Sequence, residues 1–290
     1  MKRGSILSPI WFVVVALTIT TNVNAERGVR DVPIESSQIR TKTIGLGGEV
    51  IQLKGEISDE WAQIGTMRIA NVQFIERKGL SEEVSTKDWS TLGGAALTWA
   101  KGDKAISVSF LGTLSSFEDS ARLVKYGLLV DTSATQDYYF ADVRYHRVIS
   151  ENMSTFFGYK VGSIDWEWDE YEVGGPYYYE EDGQTIAHGP LVGINILHNL
   201  KDTSFSLWGS VALMPIGLAH WDLDSVEDGY SYSESDTEPA WFVNPEFGVR
   251  WKISETSSAS FGWLWHLMGD YSDGASEIVH GLTASLAYKF

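Results

Sequence analysis

The sequence predicts an all-β chain, a transmembrane antiparallel up-and-down β-barrel of ten strands within a range of eight to twelve. Three observations predict it. Residues 280–290 alternate between two faces up to the final position. A leader-like segment opens the chain, and no later apolar stretch approaches the length of a spanning helix. Short turn signals recur between segments that read as strand, long polar stretch, strand.

In the last segment Phe290, Tyr288, Leu286, Ala284 and Leu282 form one face, and Lys289, Ala287, Ser285, Thr283 and Gly281 the other. A period of two is that of a strand with one apolar face. Ends of soluble domains usually fray into water, so an aromatic strand running to the final residue has to be held in a sheet. By itself the segment also fits an edge strand of a soluble β-sandwich. The ending resembles the terminal strand of Gram-negative outer-membrane β-barrels, which finish on an aromatic residue preceded by alternate apolar positions. Leu282, Leu286, Tyr288 and Phe290 fit that pattern. The resemblance implies that these four form a C-terminal signal read by the barrel assembly machinery.

At the other end Lys2 and Arg3 form a positive region, residues 10–19 a short apolar core, and Val23–Ala25 a small-residue cleavage site. The apolar core is shorter than the roughly twenty residues a spanning helix needs. The expected organisation is therefore a signal peptide over 1–25, a periplasmic lead over 26–43 and a barrel over 44–290. Only helices and closed barrels satisfy every backbone group in lipid. An exported membrane protein without a long apolar helix is thus a barrel.

Composition narrows the functional classes. There is no cysteine, which excludes disulfides, iron–sulfur clusters and thiolate zinc sites. The net charge is −17, and removing Lys2 and Arg3 with the leader makes the remaining chain more acidic still. Nucleic acid requires a basic footprint and is not an expected partner. The twelve Trp, thirteen Tyr and twelve Phe suit aromatic girdles at two membrane interfaces. The expected surroundings are outer-membrane lipid and lipopolysaccharide, with the chain a monomer in the cell outer membrane.

The short turns are Lys101–Lys104, Ser150–Met153, Lys201–Thr203 and Ser254–Ser257. They place strands near 61–75, 90–100, 105–117, 136–149, 154–168, 186–199, 203–222, 239–253, 257–271 and 278–290. Thr43–Lys54 and Arg122–Val130 could add two more, or form a periplasmic lead and part of an outer loop.

Faces are clearest in the C-terminal half. Trp241, Val243, Phe247, Val249 and Trp251 oppose Asn244, Glu246, Arg250 and Lys252. A Lys or Arg facing lipid at mid-membrane costs about 2–4 kcal/mol, so the polar rows face the lumen. Asp142, Arg144, His146 and Lys160 turn inward by the same rule, and with Glu246 and Arg250 they form a lumen charge cluster whose members pair with one another. In the first strands Arg68 and Gln63 compete for one face and stay unassigned. Ten strands leave little more interior than side chains can fill. The cluster is accordingly a polar plug, with a small hydrated pathway as the alternative. His146 and His266 lie four residues from Asp142 and Asp270, too far along a strand for direct pairing, and read as interior histidines bonded across strands.

Residues 165–182 and 222–238 interleave acids with aromatics and read as consecutive outer loops carrying fifteen carboxylates. No cofactor is expected beyond a weakly held divalent cation there. Asp222, Asp224 and Asp228 lack the remaining ligands of an EF-hand, and no metal site is assigned. Size and strand count resemble the omptins, ten-stranded outer-membrane proteases whose site pairs an Asp-Asp with an Asp-His couple at the rim. The nearest feature is His220, Asp222 and Asp224, weak catalytic candidates that alternation puts on one face, where a His beside a carboxylate could activate water. The order departs from the family's Asp-x-His, and the stretch 118–135 offers only Glu118, Asp119 and Asp131. No zinc-protease or nucleophile-elbow motif is present. The expected role is non-enzymatic, a structural, adhesive or small-solute barrel, with a narrow porin and a rim hydrolase as the rivals.

Overall fold

The computed structural model describes residues 40–46, 49–55, 61–78, 82–86, 89–125, 128–270 and 276–290. The expected leader and most of the expected lead lie outside them. All the described elements are strands. They are β1 (Arg40–Leu46), β2 (Glu49–Gly55), β3 (Ala62–Lys78), β4 (Glu82–Thr86), β5 (Ser90–Lys101), β6 (Lys104–Ser115), β7 (Phe117–Lys125), β8 (Leu128–Ser150), β9 (Met153–Glu172), β10 (Tyr178–Asn199), β11 (Phe205–Glu227), β12 (Tyr230–Lys252), β13 (Ser257–Asp270) and β14 (Ser276–Lys289).

β1 and β2 pair only with each other, whereas the others make one antiparallel, 12-stranded sheet of the barrel type. Its order is β3, β5, β6, β8 and then β9 to β14 in sequence, and β14 pairs in turn with β3 from Ser276↔Arg77 to Lys289↔Ile64. Each of the ten long strands therefore has a neighbour on both sides. Each of the ten overlaps one of the segments expected from the alternation, although β8, β10 and β12 begin eight or nine residues earlier. β4 and β7 are short additions on the ends of β3 and β8. Thr43–Lys54 falls in the separate hairpin, and Arg122–Val130 in the β7–β8 hairpin, so neither adds a further long strand.

The four short turns lie where expected, and two use left-handed backbone at Gly102 and Asp202. The opposite ends differ from expectation. The acid-rich segments read as loops are strand: β8 to β12 run for 20 to 23 residues each. About 9–11 tilted residues span a bilayer, so each carries roughly its own spanning length again. Asp228 and Gly229, both with positive φ (48° and 86°), turn β11 directly into β12. Asp-Gly with two positive φ values is the pair that a type I′ hairpin turn demands, because its twist matches that of the strands it joins.

Two register shifts sit side by side, at 188–192 in β10 and 214–217 in β11. Pro190 and Pro215 lie in them, where the missing N–H leaves no ladder bond unmade. The backbones come close there: a Cβ on Gly189 would lie 2.8 Å from Gly217 Cα. Because of the second shift, odd residues point inward beyond Gly217, where even ones did so before Met214.

Burial is inverted relative to a soluble sheet. Thr66, Thr98, Asp142, Lys160, Asn195, Asn244 and Glu246 are buried, while Met67, Val143, Phe157, Ile196, Leu207, Val249 and Leu286 are exposed. Arg68 and Gln63 are five residues apart and so take opposite faces, with Arg68 inward. The earlier ambiguity came from too few polar residues in β3 to show the parity.

Candidate functional site

The site is built by inward positions of β3, β8, β9, β12 and β13. Asp142, Arg144, His146, Lys160, Glu246 and Arg250 are all buried. Arg144 Nη2 donates to Asp142 Oδ2 at 2.6 Å, two residues along β8. Glu246 is held by a residue outside the expected cluster, Arg68. Its oxygens accept from Arg68 Nη2 at 2.9 Å and Nη1 at 3.3 Å, and Arg68 Nε donates to Thr283 Oγ1 at 2.8 Å. Asn244 Nδ2 donates to Glu246 Oε1 at 3.1 Å and to the Trp265 carbonyl at 2.7 Å, and His266 Nε2 lies 4.0 Å from Glu246. Glu246 thus has a neighbour on each side, which a buried carboxylate needs to stay charged.

Lys160 is directly opposite Asp142 in register. Arg144 holds that carboxylate, however, and Lys160 Nζ sits over aromatic faces, 3.5 Å from the Phe242 centroid and 4.6 Å from that of Phe140. Among the described residues it has no carboxylate within ion-pair distance. Sequence reasoning left Arg68 unassigned and, although it placed Asn244 and Thr283 on polar rows, joined neither to the cluster. Arg68 shares its parity with Thr66, Ala70 and Val72, which are all buried, and that signal becomes legible once β14 is known to lie beside β3.

The interior is layered. On the side of the long strand extensions lie Leu92, Leu111, Phe117, Tyr138, Phe140, Leu191, Met214, Phe242, Leu264 and Met268, one contiguous apolar cluster. On the short-turn side small polar groups bond across strands. Ser107 Oγ is 2.8 Å from His146 Nε2, Asn195 Nδ2 donates to Ser154 at 3.2 Å, and Ser210 donates to Asn195 at 2.9 Å. Between them the charged layer lines a small, partly open cavity of ≈ 30 Å³, which also touches Ala95 and Phe110 of β5 and β6.

His220, Asp222 and Asp224 point away from this interior. His220 Nε2 lies 3.5 Å from Asp222 Oδ1 and its Nδ1 2.9 Å from Thr237 Oγ1, while Ser233 Oγ donates to Asp224 at 2.5 Å. His220 and Asp222 are about half and two-thirds exposed, on a flat sheet face. Leu282, Leu286, Tyr288 and Phe290 also face outward and are exposed.

In the extensions the acids divide between the two faces of the sheet. Trp166 Nε1 donates to Glu181 at 3.1 Å and Trp168 Nε1 to Glu170 at 3.1 Å on one face. The other face carries Asp165, Glu167, Asp182, Asp222 and Asp224. Partial burial, with Asp169 and Asp224 close by, raises Asp182 above the ordinary carboxylate range, since Asp182 is the register partner of Asp224. On the β7–β8 hairpin the opposite holds: the hydrogen bonds from Arg122 lower Asp131, with Nη2 donating at 2.7 Å. Among the described residues no group of three or more His, Asp or Glu is arranged to hold a metal ion.

No protein-family model matches the chain, and no curated protein matches it by sequence. Solved structures do. The fold is that of outer-membrane β-barrel proteins, a class whose members include proteases, transporters and adhesins. The outer-membrane protease OmpT of Escherichia coli superposes with a TM-score of 0.52 at 11% identity, over 86% of this chain and 99% of that one. The translocator domain of the autotransporter NalP of Neisseria meningitidis gives 0.42 at 9% over 79% and 88%, and the attachment protein Ail of Yersinia pestis 0.30 at 12% over 78% and 98%. At 11% identity the OmpT likeness is one of fold alone.

Proposed function

We propose that the chain is a monomeric, ten-stranded transmembrane barrel of the outer membrane, exported by a cleaved leader, with a blocked interior and a non-enzymatic, adhesive role carried by its extended acidic and aromatic sheet. The observation that carries this reading is the inverted sheet. An outward apolar belt surrounds buried charges, an arrangement that water would not favour and a hydrocarbon layer would. The β14–β3 pairing supports closure. Phe205, Trp251, Tyr288 and Phe290, exposed near the short turns, supply an aromatic girdle on that side.

Against a narrow porin stands the apolar layer of Phe140, Phe242 and Leu264 over a cavity of ≈ 30 Å³, room for about two waters at 10–15 Å³ each. A rim hydrolase would have to work from His220 and Asp222 on an open outward face, without a cleft to hold a substrate or exclude water. The decisive experiment replaces residues 166–184 and 221–236 by short turns and measures insertion, conductance and cell adhesion together. The trimmed chain should insert as a heat-modifiable barrel, neither form should give discrete channels in planar bilayers, and only the full chain should confer adhesion. Channel openings from the full chain would establish the porin instead. Peptide cleavage that disappears in His220→Ala would establish the hydrolase.

A further inference from the structure

The buried charges around the mid-barrel cavity do not balance. Three cations line it, Arg68, Arg144 and Lys160, against two carboxylates, Asp142 and Glu246. Arg68 is used by Glu246, and one Arg144 nitrogen by Asp142. The charge left over is that of Lys160, 3% exposed, whose neighbours are two phenyl rings. Cation–π contact offsets only part of what burying an ion costs. The same cavity is lined by polar atoms without hydrogen-bond partners, Arg144 Nε, both His266 ring nitrogens, Thr66 Oγ1 and Asp142 Oδ1, on side chains that are all more than nine-tenths buried.

From this geometry we infer a binding site for one small monovalent anion of halide size between Lys160 Nζ, Arg144 Nε and the His266 ring. The inference rests on the closed interior proposed above. A single negative charge cancels the excess of one, and Arg144 and Lys160 both line the space it would fill, with Arg144 Nε lacking a partner. A cavity of ≈ 30 Å³ excludes sulfate or phosphate together with its hydration. The remaining room accommodates one water, which can donate to the otherwise unpartnered Asp142 Oδ1.

The test uses the full-length folded protein in detergent. Crystals grown in bromide should show one anomalous peak within about 3.5 Å of Lys160 Nζ, a contact of ordinary hydrogen-bond reach for so large an ion. At constant ionic strength the thermal midpoint should rise saturably when chloride or bromide replaces gluconate, as binding to the native state alone requires. Lys160→Met should abolish the halide dependence and remain at least as stable as the parent in gluconate. An empty cavity in bromide, or a halide response that persists in Lys160→Met, overturns the site. If Lys160→Met fails to fold, the bromide map of the unaltered protein decides alone. Channel conductance of that protein separates failure of the site from failure of the closed-barrel reading: conduction breaks the latter, and absence of bromide without conduction breaks only the former.

Discussion

The lower and upper halves of the long strands share one period and one hydrogen-bonding pattern, yet their side chains are sorted by opposite rules. Near the short turns β8 to β12 turn Val143, Phe157, Val192, Leu207 and Phe247 outward and bury Asp142, Lys160 and Glu246. Beyond the paired shifts at Pro190 and Pro215, carboxylates occupy both faces and aromatics are shared between them. Alternation alone marks a strand; what sits on the exposed face reports the solvent. Within single strands, the outward face of the lower half is apolar and that of the upper half carries carboxylates.

That contrast can be broken at its most buried point first. Glu246→Leu leaves Arg68 without its carboxylate and should destabilise the folded barrel by about 3–5 kcal/mol in urea unfolding from lipid vesicles, the penalty for a stranded buried charge. Combining it with Arg68→Met should restore most of that loss, since an apolar pair leaves no charge stranded. Next, Val143→Arg on the outward belt should cost about 2–4 kcal/mol in the same measurement, whereas Gln184→Arg in the extension should stay within about 0.5 kcal/mol. Equal effects at the two positions would remove the assignment of two solvents. Gly229→Ala, with open space around its Cβ but a φ of 86°, should cost about 1–2 kcal/mol, seen as faster protease cutting at the β11–β12 tip without loss of insertion.

The smallest expected effect is that of acid on the extension, and it has two signs. Asp182 is raised in the folded state, so its contribution is fully present below the unfolded value near 4 and is lost as pH rises through the folded one. Protease protection of β10 should therefore increase as pH falls from 7 through the carboxylate range. Asp131 is lowered, so its clip to Arg122 is present above the unfolded value and lost as pH falls, and the β7–β8 hairpin should become easier to cut over the same range. Hydrogen exchange resolved by peptide would show the two hairpins moving in opposite directions.

The barrel-type sheet was legible because apolar and polar positions alternate between its two faces, and because tight turns such as Lys101–Lys104 interrupt the pattern at one end only. The extensions were not legible as strand. Their acids carry low strand propensity in isolation, and cross-strand partners such as Trp166 with Glu181 supply the compensation only after pairing. The Asp228–Gly229 dipeptide did carry a hairpin signal, which the surrounding charges obscured. In the interior cluster the members on β8, β9 and β12 followed from parity. Their partner Arg68 did not, because a contact between residues 68 and 246 depends on β14 and β13 lying between their strands.

The seam between β14 and β3 also has a temporal meaning. The Arg68–Thr283 bond links positions 215 residues apart, and the amide of Phe290 donates to the Gln63 carbonyl at 3.0 Å. β3 therefore leaves the ribosome with an open edge that stays open until β14 has been made. Loop closure over such a span is slow, and an unpaired edge is a template for the wrong strand. Until Leu286, Tyr288 and Phe290 arrive, the first of the long strands carries an unsatisfied edge.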